Sequence, residues 1–140
     1  MNREILFRGK DKKTGEWRLG YYRVGSFRKN AMIDDPHNPA SYEVDPETVG
    51  QWTGLLDKNG TKIFEGDMFK IFHFTDGRRK KHFLYHVVQW SDKYAGWIAC
   101  NTGDKTADPK NGSPLLWCYV KNEFEIAGNI HDNSELLHAN

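Results

Sequence analysis

Apolar residues along this chain come in short runs cut by Gly, Pro, Asn and Asp, and within several runs they alternate with polar ones. Trp17, Leu19 and Tyr21 alternate with Arg18, Gly20 and Tyr22, the period of two that a strand shows when one face is buried. This segment is predicted to pair in a hairpin with a strand over residues 4–8, across Gly9 and the charged loop 10–15. A weaker third strand is expected over 26–33. The two prolines of Asp34-Asp35-Pro36-His37-Asn38-Pro39 make that stretch a loop. Later, residues 69–74 and 82–90 read as antiparallel partners around Asp76-Gly77, residues 93–96 as a turn, and 97–100 as the next strand. Residues 101–114 form a polar loop, residues 115–120 and 124–130 the last strands. Residues 134–137 form a terminal helical turn capped by Asn133.

Residues 44–70, VDPETVGQWTGLLDKNGTKIFEGDMFK, hold the densest backbone punctuation in the chain. Asn59-Gly60 sits between Leu55-Leu56 and Ile63-Phe64, and Asn-Gly suits a tight two-residue hairpin turn with positive φ. Glu65-Gly66-Asp67 marks a second change of direction, where glycine spares the chain a Cβ clash. Asp45-Pro46-Glu47-Thr48 fits one short helical turn, with Asp as cap and Pro at the first helical position. Gln51, Trp52 and Thr53 are strand-type residues.

About eight short antiparallel strands with a short C-terminal helical turn define an all-β class, a small barrel or sandwich. The strand-turn-strand of Phe64 to Met68 resembles that of small SH3-like barrels. The 140 residues, 14% of them aromatic and 13 of them Gly, support one domain spanning 1–140 with a core that needs no metal or disulfide staple.

Charge and cysteine usage narrow the function classes. The net charge is +1, so the chain is not broadly basic in the manner of dedicated nucleic-acid binders. The charge is unevenly placed: residues 1–30 carry nine Lys/Arg and three Asp/Glu, residues 31–70 three and eight. Such blocks suit either self-association or plain solvated faces. Cys100 and Cys118 form no disulfide framework or paired-Cys metal spacing. No signal peptide or membrane-length run is read, so a cytoplasmic protein with no membrane partner is expected.

Three sets of residues are candidates for chemistry or binding. Arg78, Arg79, Lys80 and Lys81, just past a predicted hairpin tip, are suited to neutralise phosphates, with Phe83, Tyr85 or Trp90 stacking bases if they face the same way. The competing reading is an exposed, solvated tip. The six histidines, His37, His73, His82, His86, His131 and His138, form no recognised metal motif. His82 and His86 would share one face of a strand, but zinc would need further ligands such as Cys100 or Cys118. The acid pairs Asp45 with Glu47 and Glu65 with Asp67 have the chemistry for general acid and base, yet both lie at turns, where acids cap amides. No phosphate loop or nucleophile elbow is present. The five tryptophans read as core anchors rather than a ligand cage. No catalytic residue, metal ligand or cofactor is therefore assigned.

Three stretches carry a resemblance. Arg3-Glu4-Ile5-Leu6-Phe7-Arg8-Gly9 with Gly15-Glu16-Trp17 and Gly20-Tyr21, the 44–70 stretch with DPETVGQWTGL, DKNG and EGD, and Phe124-Glu125-Ile126-Ala127-Gly128-Asn129-Ile130 with Glu135-Leu136-Leu137 together resemble the YopX family. That family comprises small proteins encoded by bacteriophages and prophages. The resemblance covers nearly the whole chain and is weakest over 25–43 and 101–116. It implies a β-rich fold, a phage or prophage origin and a bacterial cytoplasm, and carries over no activity, substrate or catalytic residue.

The leading expectation is a non-enzymatic binding or assembly module whose partner is a second copy of the chain or a phage or host protein. The alternative is a nucleic-acid-binding accessory protein using residues 78–81, and the third reading a hydrolase with a turn-borne acid pair.

Overall fold

The computed structural model describes residues 2–101 and 124–138. The chain divides into two compact units, Met1–Gly54 and Leu55–Asn140. Ten strands are described, all paired antiparallel, and the helical content of the described residues is confined to 3-10 turns. The all-β expectation holds, with more strands than the eight read from the patterning. The polar loop expected over 101–114, apart from Asn101, and the strand expected over 115–120 lie outside the described residues, as do Trp117 and Cys118.

In the first unit, β1 (Phe7–Lys10), β2 (Trp17–Val24), β3 (Ala31–Asp34), β4 (Ser41–Glu43) and β5 (Gly50–Leu56) lie in the order β4-β3-β2-β1-β5. Ala31, Ile33 and Val44 form the buried cluster, with Phe7, Tyr42 and Val49 packed against it. The buried parity of β2 is the reverse of the one predicted. Leu19 and Tyr21 are 45% and 51% exposed, whereas Gly20 is buried. A Cβ at Gly20 would collide with the carbonyl oxygen of Asp34 and approach Ile33 Cγ2 to 3.2 Å. It is the missing side chain that lets β3 come so close. Trp17 instead takes the Arg8 guanidinium over its ring at 4.5 Å and the Lys10 ammonium at 5.5 Å. The third strand starts later than expected: residues 26–29 belong to the turn, with Lys29 at φ 50°. Asp45 caps the 3-10 turn Pro46–Thr48 as anticipated, its carboxylate accepting the Glu47 N–H at 3.1 Å.

β5 runs on past residue 54 and closes a hairpin with β6 (Lys62–Phe64) in the second unit. There β7 (Asp67–Thr75), β8 (Lys81–Ser91), β9 (Gly96–Asn101) and β10 (Ile126–Asn129) lie in the order β10-β7-β8-β9. Ile63, Phe69, Val88 and Ala99 form its core, with Leu55, Ile71, Trp97, Phe124 and Ile126 against them. Burial of such apolar side chains stabilises by roughly 1.5–3 kcal/mol each, and in β8 Val87 and Val88 are the buried apolar pair. The Glu65-Gly66-Asp67 bend is as expected: Gly66 sits at φ 86° and donates to Val88 O at 2.9 Å. The chain then ends in a 3-10 turn, Ser134–His138. Asn133 does not cap it through its side chain, because Asn133 Oδ1 accepts from the Asn129 N–H at 3.1 Å.

Candidate nucleic-acid interface

Two hairpins of the second unit are closed by one device. In the first, Asp57 N donates to Thr61 O and Gly60 N to Asp57 O, while Asp57 Oδ1 accepts from the amides of Asn59 and Thr61, both at 2.9 Å. In the second, Asp76 N donates to Lys80 O and Arg79 N to Asp76 O, while Asp76 Oδ1 accepts from Arg78 and Lys80 amides at 2.9 and 3.0 Å. Each is a type I turn followed by one left-handed residue. The first is not the two-residue turn that Asn-Gly suggested, because the aspartate side chain holds the longer loop. The left-handed position is Gly60 at φ 79° in one hairpin and Arg79 at φ 61° in the other. A non-glycine residue there costs about 1–2 kcal/mol, so the second tip carries a charge where a relaxed backbone would have had glycine.

This geometry presents Arg78, Arg79, Lys80 and Lys81 as exposed side chains at the tip of the β7–β8 hairpin. Among the described residues no carboxylate forms an ion pair with any of the four. The nearest acid, Asp76, is engaged by two amides and by His82 Nε2 at 2.9 Å. The His82 contact, followed by the Lys80 amide, holds the Asp76 carboxyl below its ordinary pKa.

The strand register decides which aromatics accompany the cations. Opposed residues share a face, and the pairs Thr75 with Lys81, Phe72 with Phe83 and Lys70 with Tyr85 put Lys81, Phe72, Phe83, Lys70 and Tyr85 on one face. The register shifts between Phe72 and Phe74, so the extra residue, His73, throws Phe74 to the other face opposite His82. There the Phe74 and His82 rings stack at 4.5 Å and 9°. On the first face Phe72 and Phe83 meet edge to face at 6.0 Å, and the Lys70 ammonium lies 4.6 Å from the Phe83 ring centre. Phe72 and Phe83 remain 51% and 38% exposed. Phe83 and Tyr85 thus accompany the cations, whereas Trp90 has the opposite parity and packs edge-on against Trp97 at 5.2 Å. At the foot of the first face an open pocket of about 300 Å³ is lined by Lys58, Lys70, Phe83, Phe124, Glu125 and Ala127.

The other candidates are committed elsewhere. Asp67 is 1% exposed and accepts the Phe64 N–H at 2.8 Å, and Asp45 is a cap. His86 is partly buried, its ring 3.4 Å from Ala99 O; burial first, with the nearby His73 adding to it, lowers its pKa despite that carbonyl. His82 and His86 share a face of β8, but among the described residues no three of His, Cys, Asp and Glu converge to hold a metal. What sequence reasoning missed is the placement of Lys70 and Phe72 on this face, which no motif marks and only the register discloses.

The described residues define an all-β protein with Asp-anchored hairpins, one of which carries exposed aromatic and cationic side chains. The YopX protein family matches residues 6–138, and the chain belongs to that family. Its fold is similar to the crystal structure of protein EF1440 from Enterococcus faecalis, with a TM-score of 0.54, 21% identity, and 97% of this chain and 99% of that one covered. No curated protein matches the chain.

Proposed function

We propose that the protein is a non-enzymatic binding module that grips nucleic acid through the β7–β8 ribbon, acting as an accessory protein in the bacterial cytoplasm during phage growth. The observation that carries this reading is four consecutive cations on a tip whose only adjacent carboxylate among the described residues is held by backbone amides and His82. Lysine and arginine placed this way displace condensed counterions from a phosphate backbone, the main source of affinity in sequence-independent binding. Binding is favoured over the hydrolase reading because one carboxylate oxygen of Asp45 and one of Asp67 each accept a turn amide.

Fluorescence anisotropy of a labelled mixed-sequence oligonucleotide tests the proposal. Binding at low salt is expected, with the logarithm of affinity falling linearly against that of salt with a slope of about −3. Replacing Arg78, Arg79, Lys80 and Lys81 together with Ala should flatten that slope. No binding at low salt, or binding unaltered by the four substitutions, overturns it.

A further inference from the structure

We infer that the ribbon's ligand is single-stranded nucleic acid, whose bases stack on Phe72 and Phe83 while Lys81, Lys70 and the tip cations hold its phosphates. This rests on the binding reading above and names its substrate class. A duplex hides the faces of its bases and offers only edges in the grooves and phosphates outside. A two-stranded ribbon is narrow enough for a major groove, but it would have to read base edges with donors and acceptors. Phe72 and Phe83, at the centre of this face, have neither. Their chemistry matches the flat surface of an unpaired base, and every base has one.

The layout supports a strand running down the ribbon. Lys81, Phe83 and Tyr85 follow one another at alternate positions of β8, and Lys70 pairs with Tyr85. From Lys81 to Tyr85 is about 13 Å at 3.3 Å per residue, so cations flank the aromatic pair at both ends. The path finishes at the pocket, where Phe83 and Lys70 recur as lining residues beside Lys58 and Phe124. Its one acid, Glu125, is held by Lys58 at 3.4 Å and by the Asn59 carboxamide at 3.1 Å, which tempers the repulsion it would exert on a phosphate.

The test compares an unstructured oligothymidylate with a duplex of equal length, using the intact chain, wild type and F72A/F83A. Both rings are exposed, so the variant should fold, which circular dichroism and a thermal melt verify. Trp90→Ala serves as a control on the opposite parity. Single strands should bind at least tenfold tighter than duplex, and loss of the two rings should weaken them about tenfold per ring with an unchanged salt slope. Equal affinity for both polymers, with F72A/F83A silent and the tip substitutions still harmful, overturns single-strand recognition and leaves the binding reading standing. Failure to bind either polymer at low salt overturns both.

Discussion

The carboxylate of Asp57 accepts a hydrogen bond at 3.2 Å from the amide of Ile126, 69 residues further along the chain. The same side chain closes its own hairpin through Asn59 and Thr61. Its burial, the largest influence, would raise its pKa, but the amides of Thr61, Ile126 and Asn59 outweigh it and hold the group below the ordinary value. A single acid thus ties the β5–β6 hairpin to β10.

Asp57→Ala should therefore destabilise the fold by about 3 kcal/mol, since it strands amides that a charged acceptor had satisfied. Asp57→Asn keeps one oxygen for the hairpin but turns an NH2 toward other donors, and should cost about 1–2 kcal/mol. Urea unfolding measures both, and equal stability of all three proteins would contradict the assignment.

Arg79 should show stability and binding moving in opposite directions. Arg79→Gly relieves a left-handed arginine at φ 61° and should stabilise by about 0.5–1 kcal/mol after the entropy of glycine is counted. On the proposed function the same change removes one phosphate contact, reducing the salt slope by about one. A thermal melt and a salt titration on one sample check the two signs.

His86 sets a pH dependence near neutrality. Its folded pKa lies below the reference value of 6.5, chiefly through burial, so the unfolded chain binds its proton more readily. Stability from this group is present above about pH 6.5 and is lost as pH falls towards the folded pKa. Melting temperature should decline over that window, and His86→Gln should flatten the decline. The turn aspartates act at lower pH: their depressed pKa values mean stability that is lost only as pH falls below about 3.9.

Gly20→Ala should be severe for the addition of one methyl group. The added methyl meets the backbone carbonyl of Asp34 rather than a side chain that can swing away, and overpacking of this kind costs about 1–3 kcal/mol or more. The urea midpoint should drop accordingly, and an unchanged midpoint would refute the close approach of β2 and β3.

Local chemistry was the legible part of this chain. The cap at Asp45, the bend at Gly66, the β5–β6 hairpin and the β7–β8 pairing are written in residues whose preferences act over a few positions. Long-range contacts were not. The buried side of β2 follows from how near β3 comes to Gly20, which alternation misread because the exposed Leu19 and Tyr21 look like core residues. The faces of β7 depend on one extra residue, His73, with no turn signal to announce it. In the candidate site the four cations could be read off directly, but their companions could be chosen only once the register was known.

The matching turns at Asp57 and Asp76 keep the loop's support apart from its cargo. The anchoring runs through Asp76, the amides of 78 and 80 and the strand ends, so the side chains of Gly77, Arg78 and Arg79 take no part in the frame, and position 79 asks only for a residue that accepts a left-handed φ. Grafting Lys58-Asn59-Gly60 onto that position would be a transplant between equivalent sockets, leaving a ribbon of the same shape and a different electrical character.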